Sequence, residues 1–200
     1  YIYKDLKPVN WCTTCETALA EAEVEYEDKA SPSIYVSFKL TNHESQITNH
    51  EVSFVIWTTT PWTLLANVAI AVHPQLEYVY VEVPGARGQG PGATGQGQDV
   101  YIMAKALVEN ATSKIGIKDY KIIKTVKGKD LEGLEVRHPF IDRISRVVLA
   151  EYVSMEDGTG IVHIAPAYGE VDYQAGQDND LDFVHMVDLQ GKIIGNYPFS

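Results

Sequence analysis

Alternation with period two runs through most of this chain and limits its fold more than any other feature. In "IYVSFKL", Ile34, Val36, Phe38 and Leu40 fall on one face, and Tyr35, Ser37 and Lys39 fall on the other. "EVSFVIWTTT", "NVAIAVH", "EYVYVEV", "DVYIM", "RVVLAEYV" and "GIVHIA" also read as strands, being rich in Val, Ile and Tyr. Helical text is scarcer. "MAKALVENATSKIG" predicts a helix stopped at Gly116, and "ETALAEAEV" predicts a shorter one. Many short strands with few helices predict a β-rich α+β fold, a closed or nearly closed β-barrel with a few peripheral helices.

With 200 residues and 45% hydrophobic content, one core and a single domain over 1–200 are expected. The opening "YIYKDLKPVN" reads like text from inside a longer polypeptide, so 1–30 and 185–200 are expected to connect to a parent chain. Residues 84–98, "PGARGQGPGATGQGQ", hold six glycines and two prolines and read as a flexible hairpin tip or insertion. A phosphate loop would need a following Lys-Ser/Thr or a strand-to-helix setting, and neither is there. Acids outnumber bases 27 to 16, for a net charge of −11. That balance lacks the basic footprint of a free-standing nucleic-acid binder and argues against DNA as a partner, while leaving room for a nucleic-acid end delivered by another part of the same protein. No run approaches the roughly 18 apolar residues of a membrane helix, and no signal peptide is legible, so no membrane partner is expected. Cys12 and Cys15 are the only cysteines, which fits a reducing, cytoplasmic setting.

Three stretches carry chemistry. "IWTTTPWTL" gathers Thr58, Thr59, Thr60 and Thr63 around Pro61 and Trp62 at a strand end. In extended chain Thr58 and Thr60 share a face, and Pro61 cannot continue a ladder. Strand ends are where ligands meet hydroxyls and backbone amides, although threonine also serves strand propensity alone. In "EDGTGIVHIAPAYGEVDY", Val162 and Ile164 face one way, and Ile161, His163 and Ala165 face the other. Asp172 follows His163 past a turn at Gly169; each alone reads equally as a packed histidine and a helix cap. "WCTTC" has the spacing of half a zinc site, for which His43 and His50 stand too far apart to supply an ordinary second half.

Read together, "KPVNWCTTCETALAEAEVEYEDKASPSIYVSF", "VIWTTTPWTLLANVAIAVHP", "GKDLEGLEVRHPF" and "EDGTGIVHIAPAYGEVDY" occur in an order that closely resembles the editing domain of class I isoleucyl-tRNA synthetase. The resemblance covers nearly the whole chain apart from 84–98. The related valyl and leucyl enzymes typically carry arginine where Thr60 stands, and Thr60-Pro61-Trp62-Thr63 is the isoleucyl pattern. Leu65 departs from a usual proline, and Tyr168 occupies a variable position.

The resemblance implies an editing-domain barrel of the kind shared by valyl, isoleucyl and leucyl enzymes, hydrolysing the ester of mischarged Val-tRNA(Ile). One methylene in an apolar pocket is worth only about 1–3 kcal/mol, a limit already established for this enzyme family rather than read from these residues, so a second sieve is needed. Asp172 would hold the substrate ammonium, and His163 would form the wall that excludes isoleucine. Thr58, Thr59 and Thr60 would contact the terminal adenosine, the side chain and the attacking water. Trp62 would be an apolar floor or lid, and Thr63 a further wall hydroxyl. The chemistry would rest on Asp172, His163, Thr59 and Thr60. No enzyme nucleophile is legible, so direct attack by water is expected, without a cofactor. A structural zinc at Cys12 and Cys15 would need ligands elsewhere in the parent. The implied partners are the acceptor end of tRNA(Ile) carrying valine and the remainder of the parent synthetase. The alternatives are a valyl or leucyl editing domain, or a catalytically decayed insertion that binds the tRNA acceptor end.

Overall fold

The computed structural model describes residues 2, 6–41, 51–84, 98–195 and 197. Most of the glycine-rich 84–98 stretch, together with His43 and His50, lies outside the described residues. Strands β1 (Trp11–Cys12) and β2 (Thr17–Ala18) form a small hairpin. The others are β3 (Ile34–Leu40), β4 (Glu51–Thr58), β5 (Ala69–Val72), β6 (Glu77–Pro84), β7 (Gln98–Ala104), β8 (Lys121–Lys127), β9 (Glu135–Arg137), β10 (Ile144–Leu149) and β11 (Ile161–Ile164). They make one sheet in the order β11-β5-β10-β9-β3-β4-β7-β6-β8. The pairs β4–β7 and β5–β10 are parallel, and the remaining neighbours are antiparallel. Two helices, α1 (Val108–Ile115) and α2 (Glu170–Asp178), complete the fold.

Period two sorts the strands onto two buried faces. Phe54, Ile56, Ile70, Val72, Tyr78, Tyr80 and Ile161 point to one central core. The intervening residues point outward and are covered by helices. Val79, Val81 and Val83 of β6 meet Val108 and Ala111 of α1, while Ala69 and Ala71 of β5 meet Ala175 of α2. Both faces of the central strands are therefore dry, which is why β4 and β6 are buried almost end to end. The face assignment read for β3 holds, with Phe38 fully buried in the central core and Ile34, Val36 and Leu40 packed beside it.

Among the described residues the sheet does not close into a barrel: β8 and β11 each pair with one neighbour only. The approach to β11 returns to the far side of the sheet through isolated contacts. Ala104 N–H donates to Thr159 O at 2.8 Å, and the buried Tyr78 hydroxyl donates to Gly160 O at 2.7 Å. Gly158 and Gly160, at φ +78° and +69°, turn the chain there through the left-handed region. The bend is tight. A Cβ on Gly158 would lie 2.9 Å from Trp57 Cε3, and one on Gly160 would overlap Ala104 Cβ.

Two local expectations meet different outcomes. Helix α1 ends as read, with Gly116 at φ +85° as its left-handed cap. "ETALAEAEV" forms no such helix. Its first residues pair with Trp11 and Cys12 in β2, and only a single turn, Glu21–Glu23, follows. That turn buries nothing, so no packed face rewards helix formation over the hairpin.

Candidate functional site

Strand β4 delivers the threonines. It ends at Thr58, and Pro61 then opens a short 3-10 helix over Pro61–Ala66. Between them the chain folds on itself: Thr60 N–H donates to Thr58 Oγ1 at 3.1 Å, and the two hydroxyls stand 3.4 Å apart. This is the shared face expected of Thr58 and Thr60. Thr59 is exposed, and its carbonyl accepts the Ser31 hydroxyl at 2.8 Å.

The short helix is anchored by buried polar groups. Arg143 donates to the carbonyls of Leu65 (2.9 Å) and Asn67 (2.8 Å). Ser145 donates to Asn67 Oδ1 at 2.7 Å, and Asn67 Nδ2 donates to Ala69 O at 2.7 Å. His138 Nε2 lies 2.8 Å from Leu64 O, and its Nδ1 accepts the Ile141 N–H, so the Nε2 carries the proton and donates. The carbonyls of Leu64, Leu65 and Asn67 thus each have a partner of fixed position.

Strand β11 and helix α2 supply the opposite wall. His163 is 7% exposed and shares the inner face with Ile161, while Val162 and Ile164 belong to the cluster under α2. Its Nε2 is 3.1 Å from Thr63 Oγ1. Burial, reinforced by His138, pushes its pKa down to about 4, so the ring is neutral near pH 7. Helix α2 packs closely enough on Pro166 that a Cβ on Gly176 would meet the proline ring at 2.9 Å. This places Asp172, in the first turn, beside the end of β11, where its Oδ2 accepts the Ala165 N–H at 2.9 Å. Burial raises the Asp172 pKa, and that hydrogen bond opposes the rise.

Thr58, Thr59, Thr60, His163 and Asp172 line one cleft. Trp62 and Thr63 do not. Trp62 is 50% exposed and meets Tyr168 edge-on at 5.3 Å between ring centres. Thr63 is buried behind His163. The cleft also includes Thr159, which sequence reading passed over. Its hydroxyl is buried and without a partner among the described residues, and the two glycines that flank it were the available signal.

Cys12 and Cys15 sit at the tip of the β1–β2 hairpin, where Cys15 N–H points at Cys12 Sγ from 3.4 Å. Two thiolates are half of a tetrahedral zinc shell. Among the described residues no group of three or more His, Cys, Asp and Glu could hold a metal ion. The hairpin therefore fits a zinc only with donors from outside them. No helix of the described residues is long and apolar enough to cross a membrane.

A family model described as tRNA synthetases class I (I, L, M and V) matches residues 1–188. The isoleucine–tRNA ligase of Petrotoga mobilis is 50% identical over 190 residues, covering 95% of this chain and 19% of that protein. The Bacillus subtilis isoleucine–tRNA ligase is 46% identical over 198 residues, covering 99% and 20% respectively. The chain thus spans about a fifth of the length of the curated relatives it matches. Among solved structures, the editing domain of the Plasmodium knowlesi cytosolic leucyl-tRNA synthetase aligns with a TM-score of 0.56 at 16% identity, covering 74% of this chain and 62% of that one. The P. falciparum counterpart gives 0.53 at 18% identity, with 71% and 56% covered. At such identities the likeness is one of fold.

Proposed function

The chain belongs to the class I tRNA synthetases (I, L, M and V), and from that premise we propose that it is the editing domain of an isoleucine enzyme, hydrolysing the ester of Val-tRNA(Ile) and sparing Ile-tRNA(Ile). The observation that carries this reading is the meeting of Asp172, His163 and the three threonines, from segments more than a hundred residues apart, in one cleft.

Each group has a task that its surroundings support. The Asp172 carboxylate, held by Ala165 N–H, accepts the substrate ammonium in a charge-assisted hydrogen bond and so orients the ester. His163 denies volume at the side-chain end of the cleft. Neutral at pH 7 and a weak base, it acts through shape and hydrogen bonding rather than by taking a proton. The hydroxyls of Thr58, Thr59 and Thr60 position the terminal ribose and the attacking water. Water adds to the ester carbonyl, the bond to the ribose oxygen breaks, and the proton passes to that oxygen, releasing valine and an intact tRNA end. An aminoacyl ester is already activated, so positioning supplies much of the rate. Trp62 and Tyr168 together form an apolar lip outside the cleft.

The net charge of −11 leaves most affinity for tRNA to the remainder of the synthetase, joined through 1–30 and 185–200, in the cytoplasm. Thr60, in place of the arginine typical of valyl and leucyl enzymes, favours the isoleucyl assignment. The test is deacylation of Val-tRNA(Ile) and Ile-tRNA(Ile) side by side. Hydrolysis of the first alone supports the reading, and hydrolysis of neither, or of both equally, overturns it.

A further inference from the structure

We infer that Thr63 is a positioning residue that fixes which nitrogen of His163 carries the proton. A threonine hydroxyl has one hydrogen to give. Thr63 Oγ1 lies 2.8 Å from Thr60 O, a carbonyl that can only accept, so its hydrogen goes there. Toward His163 Nε2, at 3.1 Å, the same oxygen is left only with lone pairs. The histidine must therefore donate, and the neutral ring carries its proton on Nε2.

The opposite arrangement is worse by inspection. If Thr63 donated to Nε2, the ring proton would move to Nδ1, which is buried and has no partner among the described residues. A buried, unpaired N–H is costlier and rarer than an under-used lone pair. The rest of the contact is rigid. The Thr63 N–H also donates to Thr60 O, at 3.1 Å, so the same carbonyl clamps both the backbone and the hydroxyl of Thr63. Thr60 lines the cleft and Thr63 does not. A chain of three groups, Thr60 O, Thr63 Oγ1 and His163 Nε2, thus ties the cleft's threonine edge to its histidine wall. Nδ1 is then left as an unprotonated lone pair.

The role is tested in this chain without substrate and then with it. Nitrogen-15 spectra of the histidine rings at pH 7 should show His163 with a protonated-type Nε2 and a pyridine-type Nδ1. Thr63→Ser should keep that signature, whereas the isosteric Thr63→Val should lose it to a mixture of tautomers. The part that depends on the editing reading is kinetic. Val-tRNA(Ile) deacylation should fall in kcat in Thr63→Val, by no more than in His163→Ala, and should return in Thr63→Ser. A wild-type ring protonated on Nδ1, or a Thr63→Val variant with an unchanged spectrum, would overturn the inference. The expected spectra in a wild-type chain that leaves Val-tRNA(Ile) intact would sink the editing reading and sustain the role of Thr63.

Discussion

Asp172 Oδ2 accepts the Ala165 N–H at 2.9 Å, so the carboxylate read as the ammonium anchor also ties the first turn of α2 to the end of β11. The two duties separate by substitution. Asp172→Asn keeps an oxygen for the amide but removes the charge, and should melt close to wild type while deacylating Val-tRNA(Ile) roughly tenfold to hundredfold more slowly, the scale of a charged hydrogen bond. Asp172→Ala removes both and should cost about 1–2 kcal/mol of stability as well. An Asp172→Asn variant that edits at the wild-type rate would take the anchor away from this residue.

His163→Ala opens volume at the side-chain end of the cleft. Ile-tRNA(Ile), normally spared, should then be hydrolysed about tenfold to two-hundredfold faster, corresponding to the 1–3 kcal/mol by which such pockets feel one methylene. Valine clearance should survive in weakened form if the ring serves as a wall. Deacylation of both substrates at equal enzyme concentration decides it. Continued protection of Ile-tRNA(Ile) removes His163 from the wall, and complete loss of both activities makes it catalytic.

Acid should destabilise the fold in a window set by the same ring. The pKa of His163 falls from 6.5 to about 4 on burial, so the unfolded chain binds the extra proton first. Its contribution is complete above about pH 6.5 and is lost as pH falls toward 4, by up to about 3 kcal/mol. Burial lowers the pKa of His138 too, in the same sense, whereas Asp172, raised by burial, acts oppositely as pH rises through its folded value. Urea unfolding of wild type and His163→Asn at pH 7 and pH 5 is the measurement. The variant should lose less stability on acidification, and an equal loss in both would show that the histidine is not held neutral.

Two glycines make a matched pair. Gly133 and Gly160 both adopt left-handed backbone, at φ +76° and +69°, but a Cβ on Gly133 meets open space, while one on Gly160 overlaps Ala104 and crowds Met155. Gly133→Ala should cost about 1 kcal/mol, the backbone strain alone. Gly160→Ala should cost appreciably more. Equal melting temperatures for the two variants would mean that the approach to β11 is not tightly packed against β7.

Much of this arrangement was legible because period two is a strong signal wherever one face of a strand is buried and the other is wet, as β3 illustrates with Phe38 buried between exposed Ser37 and Lys39. The rest escaped for definable reasons. Helix α2, "EVDYQAGQD", buries only Ala175 and Gly176 of its own residues, so no apolar stripe announces it. Strand β8, "KIIKTVK", lies at an edge and is largely exposed, which dilutes its alternation. Trp62 sits next to the threonines in sequence, yet the Pro61 turn carries it out of the cleft and onto Tyr168. The left-handed turns at Gly158 and Gly160 before β11 leave no periodic trace either.

The strand order also sets a schedule for synthesis. β5 ends at Val72, and both its partners, β10 and β11, lie far downstream, with β11 starting at Ile161. At roughly 5–20 residues per second, the roughly seventy residues between β5 and the start of β10 take some 4–14 s to emerge from a ribosome. For that interval β5, a run of four apolar residues, has no sheet neighbour and must be shielded by loose collapse or by a chaperone. Since β11 carries His163, the histidine wall of the cleft is assembled among the last parts of the domain, and a nascent chain stalled before it would hold the threonine edge of the cleft without the wall that faces it.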